Sequence, residues 1–227
     1  MQVKPQRITP LSESAVVVEF GNQISVELNS AATALADQLD AAPFPGFVEA
    51  VPAYASTTVY FDPLVVRRSL EADQPSLDRV ITLVNAAITE CSEKEDSKRD
   101  VVEIPADFSV SAGLDLQYLA EAHSLSTDEV VSIFTTAIYR VYMIGFLPGF
   151  AYMGEVDSQI QTPRREQPRS NVPKGSVGIA GAQTGIYPLE SPGGWQIIGR
   201  TDAEMFIRDA DPPSRLRPGD RVRFEAI

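Results

Sequence analysis

The sequence predicts an α+β fold in two parts: a small α/β domain at the N-terminus, then a β-barrel or sandwich. Three observations carry this reading. Strand-length apolar runs alternate with helical stripes as far as Cys91, and residues 92–100 (SEKEDSKRD) are wholly polar and highly charged. From Tyr139 onward, short β-rich segments alternate with Gly and Pro turns. The expected domains are therefore 1–91 and 101–227, with 92–100 as their linker.

In the first domain, Ala15 to Phe20 (AVVVEF) is an apolar run closed by Gly21-Asn22, the pattern of a buried strand and its turn. A helix follows, capped by Asn29 or Ser30 and ended by Pro43, with Ala32, Leu35, Ala36 and Leu39 in one stripe. Phe47 to Val51 and Thr57 to Phe61 are β-branched or aromatic and read as two strands, the second closed by Asp62-Pro63. Ser76 opens the clearest helix, with Leu77, Val80, Ile81, Val84, Ile88 and Cys91 on one face. Cys91, the single cysteine, thereby reads as a small core residue rather than a nucleophile, and no internal disulfide can form.

In the second domain, Val101 to Pro105 reads as a strand and Leu114, Leu119 and Ala122 suit a short helix. A second short helix starts at the capping box Ser126/Glu129 and presents Val130, Val131 and Phe134; both helices are expected to be peripheral. Tyr139 to Phe146, Val177 to Ala180, Gly185 to Tyr187, Trp195 to Gly199 and Arg221 to Glu225 supply the strands.

Composition narrows the function. With 31 Asp+Glu against 19 Lys+Arg in 227 residues, the chain lacks the broad basic face that nucleic acid requires. No apolar run approaches the ~18 residues of a membrane span, and the N-terminus MQVKPQRITP lacks a signal-peptide core, so the expectation is a cytoplasmic protein. The single histidine, His123, ends a polar helix and is expected at the surface, which leaves too few ligands for a His/Cys metal site and no Ser-His or Cys-His pair. Pro173-Lys174-Gly175-Ser176 lacks the upstream glycine of a phosphate loop.

What remains is a local reversal of charge. Arg164, Arg165, Arg169 and Lys174 place four cations in eleven residues against Glu166, inside a chain of net charge −12. Guanidinium forks and Gly-rich backbone suit an anionic group such as a carboxylate or phosphate. The competing reading makes these arginines solvated, or pairs them with Glu155, Asp157 and Glu166. Gln183, Thr184, Tyr187, Gly193, Gly194 and Trp195 are either site-lining residues or hairpin turns with a core tryptophan.

At these residues a family resemblance enters. GFLPGFAYMG, TPRR with PR shortly after it, VPKGSVGIAG, QTGIYP and SPGGWQIIGRT, in this order, resemble the 5-oxoprolinase B-subunit family, also known as KipI or allophanate hydrolase subunit 1. With VEAVPAY and Tyr60-Phe61-Asp62-Pro63 upstream, the resemblance covers nearly the whole chain. It implies a ferredoxin-like α/β N-terminal domain and a cyclophilin-like β-barrel.

For activity, the resemblance implies an ATP-dependent lactam hydrolase that opens 5-oxoproline to glutamate together with its C and A subunits. The isolated chain would be inactive, ATP (with Mg²⁺) would be bound by the complex, and the general base would lie on a partner. Arg164, Arg165, Arg169 and Lys174 would hold anionic oxygens while Gln183, Thr184 and Tyr187 orient the substrate as its lactam oxygen is activated. The alternatives are carboxyl transfer from carboxybiotin to a urea-like amide, and inhibition of a sensor histidine kinase. Three positions depart from the family pattern: Phe134 where a histidine is usual, Ala55 where an arginine is usual, and Ser12-Glu13 where Gly-Asp is usual.

Overall fold

The computed structural model describes residues 3–69, 75–91 and 100–227. The chain divides into two compact units, Met1–Lys98 and Arg99–Ile227. The charged segment expected to link them lies, apart from Asp100, outside the described residues.

The first unit is an antiparallel sheet backed by helices. Strand β1 (Arg7–Ser12) pairs with β2 (Ala15–Glu19), and β3 (Phe47–Pro52) with β4 (Ser56–Phe61), in the order β1-β2-β4-β3. The sequence does not announce β1, because Pro10 interrupts its pattern; at a sheet edge the missing N–H costs no ladder bond. Period-2 alternation turns Val16 and Val18 of β2, and Thr57, Val59 and Phe61 of β4, into the core. Over them lie α1 (Val26–Ala41) and α3 (Ser76–Glu90). Leu35 and Leu39 are essentially fully buried, worth about 2 kcal/mol each in transfer free energy.

The cap of α1 differs from expectation. Ser25, not Asn29 or Ser30, accepts the Leu28 N–H, while Asn29 is buried inside the helix and donates to the Ala53 carbonyl. Asp62-Pro63 does more than close β4: Asp62 accepts the N–H groups of Leu64 and Val65 and starts the short α2 (Pro63–Arg68), with Pro63 in the first turn. Cys91 packs, half-buried, against this unit's core.

In the second unit seven strands run in the order β12-β9-β10-β7-β6-β13-β5. They are β5 (Val101–Ala106), β6 (Tyr139–Ile144), β7 (Ala151–Gly154), β9 (Ser176–Ala180), β10 (Gln183–Ile186), β12 (Gln196–Arg200) and β13 (Arg221–Ala226). All neighbours are antiparallel except β5 and β13. The two edge strands nearly meet. Asp107, just after β5, exchanges two backbone hydrogen bonds with Arg200 of β12, at 2.7 and 2.8 Å, so the sheet is an almost closed barrel. A small ribbon of β8 (Arg169–Val172) and β11 (Ser191–Gly193) forms a separate two-stranded sheet, with Val172 packed against barrel residues.

Helices α4 (Leu116–His123) and α5 (Thr127–Thr136) are not peripheral, contrary to expectation, but carry part of the core. Leu119, Val130 and Phe134 are fully buried among Tyr139, Phe224 and the barrel residues. Phe134 packs its ring 4.9 Å from Phe224 and 5.1 Å from Tyr139, and its carbonyl accepts the Tyr139 hydroxyl. An aromatic thus fills the position where the resemblance led to the expectation of a histidine.

The capping box of α5 forms as predicted: Ser126 Oγ accepts the Glu129 N–H while Glu129 accepts the Ser126 N–H. Ser126→Ala is expected to cost about 1 kcal/mol, measured by urea denaturation. A loss below about 0.3 kcal/mol would mean that packing alone holds this helix.

Candidate functional site

The cationic segment is strapped onto the barrel at both ends. Thr162 forms an isolated bridge with Gly181, whose N–H donates to the Thr162 carbonyl at 2.8 Å. The Thr162 side chain is buried, with its Oγ1 3.0 Å from His123 Nε2. His123 is therefore half-buried and engaged, not simply a surface histidine. Next along the chain, the Pro163 carbonyl accepts Gln196 Nε2 at 3.0 Å, and the Arg165 N–H donates to the Gly194 carbonyl at 2.8 Å. Arg169 enters β8 opposite Gly193. The backbone on either side of Arg164 is thus fixed by partners from β12 and the turn before it.

Two of the arginines turn inward. Asp115, just before α4, is buried to 3% exposure, and its backbone N–H donates to the Ile197 carbonyl at 2.7 Å. Its Oδ1 accepts Arg165 Nη1 at 2.8 Å and Arg169 Nη2 at 2.7 Å. Its Oδ2 accepts Arg169 Nη1 at 2.8 Å and the Ile197 N–H at 2.7 Å. A buried carboxylate is tolerable only with such full satisfaction.

This pairing revises the expectation that Arg165 and Arg169 hold external oxygens, and equally the suggested partners Glu155, Asp157 and Glu166. Asp115 escapes a reading of the sequence because it lies 50 and 54 residues from the two arginines. Its one signal is an acid standing alone in the apolar run Ala112-Gly113-Leu114-Asp115-Leu116.

Arg164 stays outside this pairing. It is exposed, its guanidinium carbon lies 6.0 Å from the Trp195 ring centroid, and no carboxylate among the described residues pairs with it. Trp195, 4% exposed, is held in turn by edge-on contacts with Phe150, Tyr152 and Tyr187, centroids 5.5 to 6.5 Å away. Phe146, 63% exposed and in the left-handed region at φ 70°, adds its ring edge-on to Phe150.

The other predicted residues divide. Tyr187 is buried within this aromatic cluster, and Gly193 lies so close that an added Cβ would strike its hydroxyl. Burial pushes the Tyr187 hydroxyl up, with the Trp195 backbone N–H and the Arg164 and Arg169 guanidiniums drawing it partway back. It therefore stays a protonated donor at neutral pH rather than a base. Burial likewise raises the Tyr152 hydroxyl, against the pull of Arg164.

Gly194 supplies the carbonyl that fixes Arg165. Lys174 pairs instead with Glu204 at 3.0 Å, both about half exposed. Thr184, expected to orient substrate, is fully buried and donates to the Gly178 carbonyl, so it is a structural residue. Gln183 begins β10, in register with Gly154 and Ala180. Among the described residues no three His, Cys, Asp or Glu side chains converge as metal ligands, and no helix is long and apolar enough to cross a membrane.

Residues 6–216 match the family described as carboxyltransferase domain, subdomain C and D. A Bacillus subtilis (strain 168) protein named as the B subunit of 5-oxoprolinase is 40% identical over 222 residues, 97% of this chain and 92% of that one. The chain belongs to the 5-oxoprolinase B-subunit family, within the carboxyltransferase-domain family.

Two solved structures are also similar. TTHA0988 is 38% identical with a TM-score of 0.81 over 94% of this chain, which spans 40% of the TTHA0988 chain. PH0987 from Pyrococcus horikoshii is 41% identical over 97% of both chains, with a TM-score of 0.56.

Proposed function

We propose that this chain is the B subunit of an ATP-dependent 5-oxoprolinase, a cytoplasmic complex with C and A subunits that opens 5-oxoproline to glutamate. The observation that carries this reading is the 40% identity to a 5-oxoprolinase B subunit across nearly the full length of both chains. In fold terms the first unit is a ferredoxin-like variant, with β1 in the edge position that a final strand would otherwise take, and the barrel is of cyclophilin-like type.

The chain's contribution is substrate holding. Arg164 receives the substrate carboxylate at the barrel surface, while the general base comes from a partner, since the one histidine is engaged with Thr162 and the buried tyrosines remain protonated. A triphosphate needs several converging donors. Here Arg165 and Arg169 are committed to Asp115, and Lys174 to Glu204, so the residues of this loop do not fit one. ATP with its Mg²⁺ belongs on another member of the complex.

A second reading is supported by the family's description as a carboxyltransferase domain: carboxyl transfer from a biotinylated carrier to a urea-like amide. Reconstitution separates the two. Purified alone, the chain is expected to form no glutamate from 5-oxoproline and ATP, and adding the A and C subunits should restore turnover. Turnover by the chain alone, or a complete complex that carboxylates urea with biotin carboxylase present and ignores 5-oxoproline, would overturn the first reading.

A further inference from the structure

We infer that the loop 162–169 is a seat for a single carboxylate, with Arg164 as its one ligand-binding cation, and that Asp115 is a positioning residue that sets this selectivity. The inference deepens the oxoprolinase reading, on which it rests only for the identity of the carboxylate.

A loop holding Arg164, Arg165 and Arg169 would by charge alone attract phosphate groups. The structure prevents this by geometry. Asp115 takes up both Nη atoms of Arg169 and one of Arg165, at 2.7 to 2.8 Å, and is itself pinned at 2.7 Å by the Ile197 N–H. The Arg169 fork is thus spent inside the protein, and Arg165 is tethered there by one Nη, with its Nε buried and unpartnered. Arg164 sits between the fixed Pro163 carbonyl and the fixed Arg165 N–H, with its guanidinium lying over the ring of Trp195. Its planar N–H edge remains available, and one guanidinium edge matches one carboxylate bidentately. A polyphosphate would find only one of its phosphate groups paired. The expected ligand is accordingly a small molecule carrying a single carboxylate.

Trp195 is the only tryptophan, so its fluorescence reports Arg164 directly in the full-length chain. Three probes are titrated: 5-oxoproline, cyclopentanecarboxylate, which keeps the ring and carboxylate but lacks the lactam, and inorganic pyrophosphate. Wild type should respond saturably to at least one of the carboxylates, and at least tenfold more weakly to pyrophosphate. Arg164→Ala should abolish the response, with Arg164→Lys recovering it poorly. Asp115→Asn, which removes the charge that holds Arg165 and Arg169 inward, should move the preference at least tenfold toward pyrophosphate, a change that a merely structural role would not produce.

Wild type binding pyrophosphate as tightly as either carboxylate, or responding to neither carboxylate in an Arg164-dependent way, would overturn the inference. So would a folded Asp115→Asn variant with an unchanged preference. Should that variant fail to fold, the wild-type ratio and the Arg164 variants still decide. A response to cyclopentanecarboxylate but not to 5-oxoproline would uphold the seat and count against the oxoprolinase reading.

Discussion

Asp115→Ala is expected to destabilise the second unit by about 3 kcal/mol. Breaking a buried ion pair costs about 3–5 kcal/mol because the surviving partner is left uncompensated. Here the survivors, Arg165 and Arg169, keep side-chain exposures of 35% and 20% and can turn partly toward water, so the lower end applies. The Ile197 N–H also loses its acceptor in a buried place. Urea denaturation followed by the emission of Trp195, the only tryptophan, reads this unit specifically. A midpoint shift equivalent to less than about 1 kcal/mol would mean that the two guanidiniums are as well off in water as on Asp115. A loss of about 3 kcal/mol is a large part of the 5–15 kcal/mol typical of a domain, so the variant should also accumulate poorly in cells.

Phe134→Ala is expected to cost about 3–5 kcal/mol in the same unit. Its ring is wholly buried and contacts Phe108, Tyr139 and Phe224 at centroid distances of 4.9 to 5.9 Å. Truncation leaves a cavity between α5 and β13 that those three rings cannot collapse to fill, since Tyr139 is also tied by its hydroxyl to the residue 134 carbonyl. Phe134→Leu, which keeps most of the volume, should lose less than about half as much. Equal losses for both variants would show that edge contacts between rings, rather than volume, hold this part of the core. Phe134 belongs to a different core cluster from Trp195, and the folded fraction should bind carboxylates as wild type does.

Much of the fold is legible in the sequence because its determinants are local. The strand at Ala15, the helix from Ser76 with its stripe through Val80 and Val84, and the Ser126/Glu129 capping box each rest on residues within one or two turns of one another. The elements that escape it have weak local signals. Pro10 hides β1, Asp62-Pro63 reads as readily as a strand end as a helix start, and β8 and β11 are only four and three residues long. The parallel pairing of β5 with β13 joins segments more than a hundred residues apart, and no periodicity in either one announces it.

The site divides along the same line. By itself the sequence determined that the segment between Tyr139 and Arg200 holds a cluster of cations among Gly and Pro turns and contains neither histidine nor cysteine. Which of these cations stays outside an ion pair was decided only by the tertiary structure. Four cations look alike in one dimension, but Asp115 claims two of them and Glu204 a third, and the ring of Trp195 lies beneath the guanidinium of the fourth. The reason is that charge pairing acts through space over a few ångströms, and the fold brings those partners from up to 54 residues away in the chain.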